Sequence, residues 1–227
     1  MHIAERLSGE TGRDYAMRVL KDNIIRLELE PGSIISDREL AAGMNLSRTP
    51  VREAFLELAK VKIVEIYPQR GTMVSFIDYN LVEEARFIRS VLEVAVVRLA
   101  CGLITPEQME ELEDNIRLQK FYHQNLSVER MLELDNEFHR MLFWIANKRQ
   151  AYEMMDRITI HFDRVRNLAI SAVKEHKWME EHYNIYEAVR DNDPEQAARL
   201  METHLKRYQV DEEAIRQSYP QYFKHHK

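Results

Sequence analysis

Apolar residues recur at helical spacing from Arg13 to Leu29, at Tyr15, Val19, Ile24, Ile25 and Leu27, and the pattern stops at Pro31-Gly32. The twelve residues before it are polar and read as frayed. A short helix is predicted over Asp37–Gly43, then a tight turn, then a helix opening at Arg48 whose apolar face is Val51, Ala54, Phe55 and Leu58. Two β-prone runs, 63–67 and 72–76, are joined by Pro68-Gln69-Arg70-Gly71 and read as a hairpin. Beyond residue 80 strand-like alternation disappears. Breaks fall at 102–106, 123–127, 146–148, 171–174 and 191–194, and both Thr105-Pro106-Glu107-Gln108 and Asp193-Pro194-Glu195-Gln196 read as helix starts. The predicted fold class is mainly α. An N-terminal winged helix-turn-helix with a small β-hairpin wing is followed by a C-terminal all-α antiparallel bundle of about six helices. The expected limits are 1–76 for the first domain, 77–80 for a linker, 81–217 for the bundle and 218–227 for a loose tail.

Composition fits this picture: 227 residues, 45% hydrophobic and 31% charged, with only 6 Gly and 6 Pro. No apolar run approaches a membrane span, and the first residues lack the apolar core of a signal peptide. A single cysteine, Cys101, excludes an internal disulfide framework. The expectation is a cytoplasmic chain with no membrane partner. The net charge of −6 looks wrong for nucleic acid, but residues 1–76 hold 11 basic and 11 acidic side chains, so the excess lies in the bundle.

Helix, turn, basic helix and hairpin together suit insertion of one helix into a DNA major groove. Arg48 and Arg52, four residues apart, project from one face of that helix near its start. Arginine can hold guanine O6 and N7 together. Ser47 and Thr49 offer hydroxyls to phosphates, while Arg70 and Gly71 stand at the wing tip for the minor groove. Any one of these arginines alone reads as a solvated charge; the ordered set is what carries information.

In the bundle, Asp135 and His139 are four residues apart on one helix, and they, His182 and His204 fall on or beside inward faces. Three imidazoles and a carboxylate suit zinc, nickel, cobalt or iron better than calcium or magnesium. Hydrogen-bonded core histidines and a surface Asp–His pair explain the same spacing equally well. Arg89 sits in the apolar stripe of the first bundle helix, where it needs an anion: either a bound organic acid or Glu93 on the same helix.

Pro31-Gly32, Asp37-Arg38-Glu39-Leu40-Ala41, Ser47-Arg48-Thr49-Pro50-Val51-Arg52-Glu53-Ala54 and Gln69-Arg70-Gly71 resemble the N-terminal domain of GntR-type bacterial transcription regulators. In that family the positions matching Arg38, Arg48, Arg52 and Gly71 touch DNA, and those matching Ser47 and Thr49 help on the phosphates. Residues 80–215 resemble the FCD ligand-binding domain of the FadR-type subgroup, and six helices place it nearer the VanR-like branch. Asp135-x-x-Phe138-His139, His182 and His204 match that domain's metal pattern, and Arg89-x-x-x-Glu93 matches another of its elements. The resemblance implies a homodimeric regulator, a repressor foremost, on a palindromic double-stranded operator. Its effector would be a small organic acid bound at a metal, zinc first, with Arg89 as its partner. The alternative is a regulator that senses the metal ion itself; an enzyme is not expected. Two positions depart from the family: Asn45 and Lys62 stand where glycines are usual.

Overall fold

The computed structural model describes residues 1–125, 128–172, 178–206 and 212–224. The first domain runs α1 (Gly12–Ile25), β1 (Ile34–Ile35), α2 (Asp37–Gly43), α3 (Arg48–Lys60), β2 (Val64–Tyr67) and β3 (Gly71–Val74). Ser36 caps α2 by accepting from the Glu39 amide at 3.3 Å. The hairpin is joined by an unexpected third strand: β1 pairs antiparallel with β3, Ile34 opposite Met73, giving the order β1-β3-β2. Two residues are too few to show an alternation. The N-terminal segment is also less free than its polarity suggested, because the His2 amide and carbonyl pair with the Asn23 side chain at 2.6 and 2.7 Å.

The core of this first domain, the head, is built on Leu20, Ile24, Val51, Phe55, Leu58 and Val74, all buried, and it includes Leu132 and Ile160 from the bundle. The bundle itself comprises α4 (Tyr79–Leu103), α5 (Pro106–Gln124), α6 (Val128–Ile145), α7 (Arg149–Ile158), α8 (Ile160–Ala172), α9 (Trp178–Arg190), α10 (Pro194–Lys206) and α11 (Glu212–Ser218). Helix α4 is central and packs against α6, α7, α8, α9 and α10. Eight helical segments among the described residues replace the six expected. One added division is the single residue Thr159, which separates α7 from α8. The other falls between α10 and α11, where residues 207–211 lie outside the described set. The expected break at 171–174 lies partly outside the described residues.

Four helices end on one motif, in which a left-handed residue turns the chain and the next amide bonds back to a carbonyl five residues earlier. Asn45, Lys62, Asn147 and Asn192 take the left-handed position at φ 53°, 60°, 55° and 53°. The back-bonds are Leu46 to Ala41, Ile63 to Leu58, Lys148 to Phe143 and Asp193 to Ala188. Asn45 and Lys62 thus adopt the backbone that glycine would supply. The loose tail is corrected as well. Tyr222 and Lys224 bracket Ile77 in a short parallel bridge, and the Phe223 ring stacks on Tyr79 at 5.2 Å. Burying Phe223 holds the last turn against the linker; residues 225–227 lie outside the described set.

Asn147→Ala should destabilise the chain by about 1 kcal/mol, because a Cβ-branched-free but non-polar side chain gains nothing from the left-handed backbone, whereas Asn147→Gly should be near neutral. Urea unfolding of both variants tests this, and equal losses would contradict it.

Candidate metal centre and nucleic-acid interface

Arg38, Ser47, Arg48, Thr49, Arg52 and Arg70 are exposed, and Gly71 is half-buried at the start of β3. A cleft of about 750 Å³ between α2, α3 and the wing is lined by Arg48, Arg52, Arg70 and Gly71. Arg38, Ser47 and Thr49 lie outside its lining. Ser47 is the N-cap of α3 and makes no side-chain capping bond, so its hydroxyl is not spent on the helix end. Gly71 has φ +107°, and a Cβ there would come within 3.0 Å of Ile34 and 3.2 Å of the Ile35 carbonyl. Asp37 was not singled out from sequence. Arg48 donates to both its carboxylate oxygens at 2.9 Å and Arg52 to one at 2.6 Å. Slight burial works to raise the Asp37 pKa, but these bonds outweigh it and hold the carboxyl below its usual range.

Asp135 and His139 on α6, His182 on α9 and His204 on α10 converge in the bundle core, each buried, with one ligand atom apiece inside a 4.8 Å span. His204 Nε2 lies 3.2 Å from His182 Nε2 and 3.3 Å from His139 Nε2, and Asp135 Oδ1 lies 3.7 Å from His182 Nε2. The outward nitrogens decide the tautomers. His204 Nδ1 faces Glu181 Oε2 at 2.9 Å and His139 Nδ1 faces Glu93 Oε2, both acceptors when ionised. His182 Nδ1 faces Gln119 Oε1 at 2.9 Å. That orientation follows from a chain fixed by a carbonyl: Asn115 Nδ2 donates to Leu134 O, so its Oδ1 accepts from Gln119 Nε2. Assigned by these partners, the protons fall on the Nδ1 atoms, and the three Nε2 atoms then meet one another beside a carboxylate oxygen.

Such an arrangement is repulsive alone and fits a cation. Tetrahedral Zn–N bonds of about 2.0–2.1 Å put two nitrogens about 3.3–3.4 Å apart, close to the 3.2 and 3.3 Å observed. Burial lowers the pKa of His139 and His204 to about 4 and that of His182 well below the ordinary value, so the imidazoles are neutral and able to ligate at neutral pH. Burial acts to raise the Glu93 pKa, but Arg89 and His139 outweigh it and hold its carboxyl at about 2. Asp135 is likewise kept ionised, with Arg166 overcoming its desolvation.

Arg89 is buried and spends Nε on Glu93 Oε1, so the helical pair forms. Its guanidinium also lies 5.1 Å above the Phe162 ring. Arg89, Glu93, His139, Tyr152 and Asp163 line a cavity of about 20 Å³, room for about one water. The sequence marked Glu93 only as a partner of Arg89 and left Gln119, Glu181 and Arg166 unmarked. Glu93, Gln119 and Glu181 orient the three histidines, and buried Arg166 pairs with Asp135 Oδ2 and, at 3.0 Å, with Asp163. Gln119 and Asn115 interrupt the inward face of α5 after Leu112, a polar signal on an apolar stripe that could have been noticed.

Residues 14–74 match the family model described as bacterial regulatory proteins, gntR family, and residues 84–207 match the FCD domain. The chain is 32% identical over 207 residues to the HTH-type transcriptional repressor RspR of Escherichia coli (strain K12), spanning 91% of each. It is 32% identical over 217 residues to an HTH-type transcriptional regulator from an unstable DNA locus of Streptomyces ambofaciens, spanning 95% of this chain and 91% of that one. In fold it is similar to E. coli McbR/YncC, with a TM-score of 0.81 at 21% identity over 92% of this chain and 99% of that one.

Asp37→Asn should free both arginines and remove a negative charge from this face, raising affinity for random-sequence duplex about five-fold, the scale of one exposed ion pair. Fluorescence anisotropy at two salt concentrations reads this; unchanged affinity would mean that the clamp does not compete with phosphate. At the buried cluster, the unfolded chain takes up histidine protons from about pH 6.5 downward, whereas folded His139 and His204 resist until about pH 4. Between those values the unfolded state binds more protons, so stability falls as pH falls. The Tm of chelator-treated protein should drop steadily from pH 6.5 to 4, and a flat profile would refute the burial argument.

Proposed function

Because this chain belongs to the gntR family of bacterial regulatory proteins and carries an FCD domain, it is a DNA-binding transcription regulator and not an enzyme, and we propose that a small carboxylate bound at a transition metal controls its operator affinity. One observation carries the reading: three Nε2 atoms and Asp135 converge while their far sides are engaged by Glu93, Gln119, Glu181 and Arg166. Asp135, His139, His182 and His204 would hold the ion, with zinc the first choice for three imidazoles and a carboxylate. The metal would supply an open position for an acid's oxygen. Arg89 lines the adjoining cavity and would pair with the acid once it loosens from Glu93.

On the DNA side, Arg48 and Arg52 would read base edges, Arg38, Ser47 and Thr49 would hold phosphates, and Arg70 with Gly71 would follow the minor groove. The chain would act as a homodimer on a palindromic operator, since a twofold protein suits a twofold site. Support for a dimer comes from the outer face of α4, where Phe87, Val91, Leu99 and Leu103 are exposed, Phe87 at 66%. Repression is the favoured sign, by likeness to RspR, which is named a repressor.

A second reading, a regulator that answers to the ion alone, is favoured by the size of the cavity beside the cluster: about 20 Å³ admits a water but no organic acid. A thermal-shift screen separates the two. Metal-loaded and chelator-treated protein are compared against a panel of small carboxylic acids, because a ligand of the folded state raises Tm by mass action, about 2.7 kcal/mol at a hundred times Kd. The expected result is one class of acid that stabilises the loaded form alone. Stabilisation by metal with no response to any acid would transfer the case to the ion sensor.

A further inference from the structure

Helix α8 touches both halves of the molecule through alternate positions. On one side Asp163 and Arg166 face the buried cluster, Arg166 holding the second oxygen of Asp135. On the other, Ile160 enters the head's core, His161 Nε2 contacts the Val61 carbonyl at 2.6 Å and Arg164 donates to the Ser75 carbonyl at 2.7 Å. Val61 is the C-cap of the recognition helix α3, and Ser75 is the first residue after the wing strand β3. The head is thus gripped at the exits of both its DNA-reading elements, each time by a backbone carbonyl that no substitution of its own side chain would remove.

Arg164 is the telling member. It is fully buried, and its Nε and Nη1 have no hydrogen-bond partner among the described residues. A guanidinium so placed is costly, and an apolar side chain of like shape would serve packing as well or better. Packing therefore does not account for its presence, whereas a directional grip on Ser75 does.

We propose that α8 relays the state of the Asp/His cluster to the DNA-reading elements, with His161 and Arg164 as the positioning residues that grip α3 and the wing. This rests on the metal reading above. A cation that draws on Asp135 Oδ1 weakens the hold of Oδ2 on Arg166, and a rigid helix carries the adjustment two residues along to Arg164 and five to His161.

The test is amide hydrogen exchange on the full chain with zinc and with chelator, alongside calorimetric titration of zinc. In the unaltered protein zinc should change exchange across residues 61–76 by at least about five-fold, the lower end of ordinary allosteric coupling. Arg164→Met should bind zinc within about two-fold of the unaltered affinity yet lose the response at 61–76, while Arg164→Lys, which can still reach the Ser75 carbonyl, should keep it. His161→Phe retains a ring without the donor and should lose the response around residue 61. A head that responds equally in Arg164→Met and His161→Phe overturns the relay, as does a head that never responds although zinc binds. Absence of zinc binding in calorimetry would instead overturn the metal reading, and the relay with it.

Discussion

Four buried donors share a space in which none can satisfy another. With the Nδ1 atoms of three imidazoles turned outward, their Nε2 atoms face each other and the oxygen of Asp135. In a low-dielectric core that contact is costly, and a positive charge at its centre would relieve it. Much of the bundle answers to it. Helices α6, α9 and α10 bring the donors, α4 brings Glu93 and Arg89, α5 brings Gln119, and α8 brings Arg166. Each supporting group is held in turn: Gln119 by Asn115, Asn115 by the Leu134 carbonyl, and Glu93 by Arg89. The orientation of every ring is thus over-determined, with His182 further fixed by the Phe138 ring stacked at 4.2 Å.

The same bundle is not a separate body attached to the head by a linker. Leu132 and Ile160 complete the head's apolar core. Around them run polar ties: Lys21 to Asp156, Arg26 to Glu133 at 3.0 Å, His161 to Val61 and Arg164 to Ser75. Asp156 also lines the small cavity beside Arg89 and His139. A rearrangement in the bundle core therefore has few residues to cross before it meets α1, α3 or the wing.

Punctuation made the head legible in the sequence. Pro31-Gly32 and the turn at Asn45 mark its elements, and α2 runs over the residues expected of it, Asp37–Gly43. The four metal-ligand candidates were legible as residue types on inward faces, and they do meet. Their supports were not. Arg166 is 31 residues from Asp135, and nothing local marks the two as partners. Asp37 looked like an ordinary first-turn acid, since its clamp on Arg48 and Arg52 depends on how α2 crosses α3. Strand β1 is too short for a period, the interruption at Thr159 leaves the helical pattern undisturbed, and the docking of Phe223 depends on Ile77 and Tyr79 being nearby in space only.

The shared core carries a consequence for how the protein is made. The head's sequence ends near residue 76, yet Leu132 and Ile160 must emerge before its core is full, and Phe223 before the junction at Ile77 closes. At about 5–20 residues per second, a ribosome takes about 7–30 s to travel from the wing to that last aromatic ring. During that interval the nascent head lacks two of its buried side chains and both carbonyl grips. A truncated chain meets the same deficit permanently. Synthesis therefore does not release a head with its core complete ahead of the bundle, and the order of elements along the chain makes the two domains finish together.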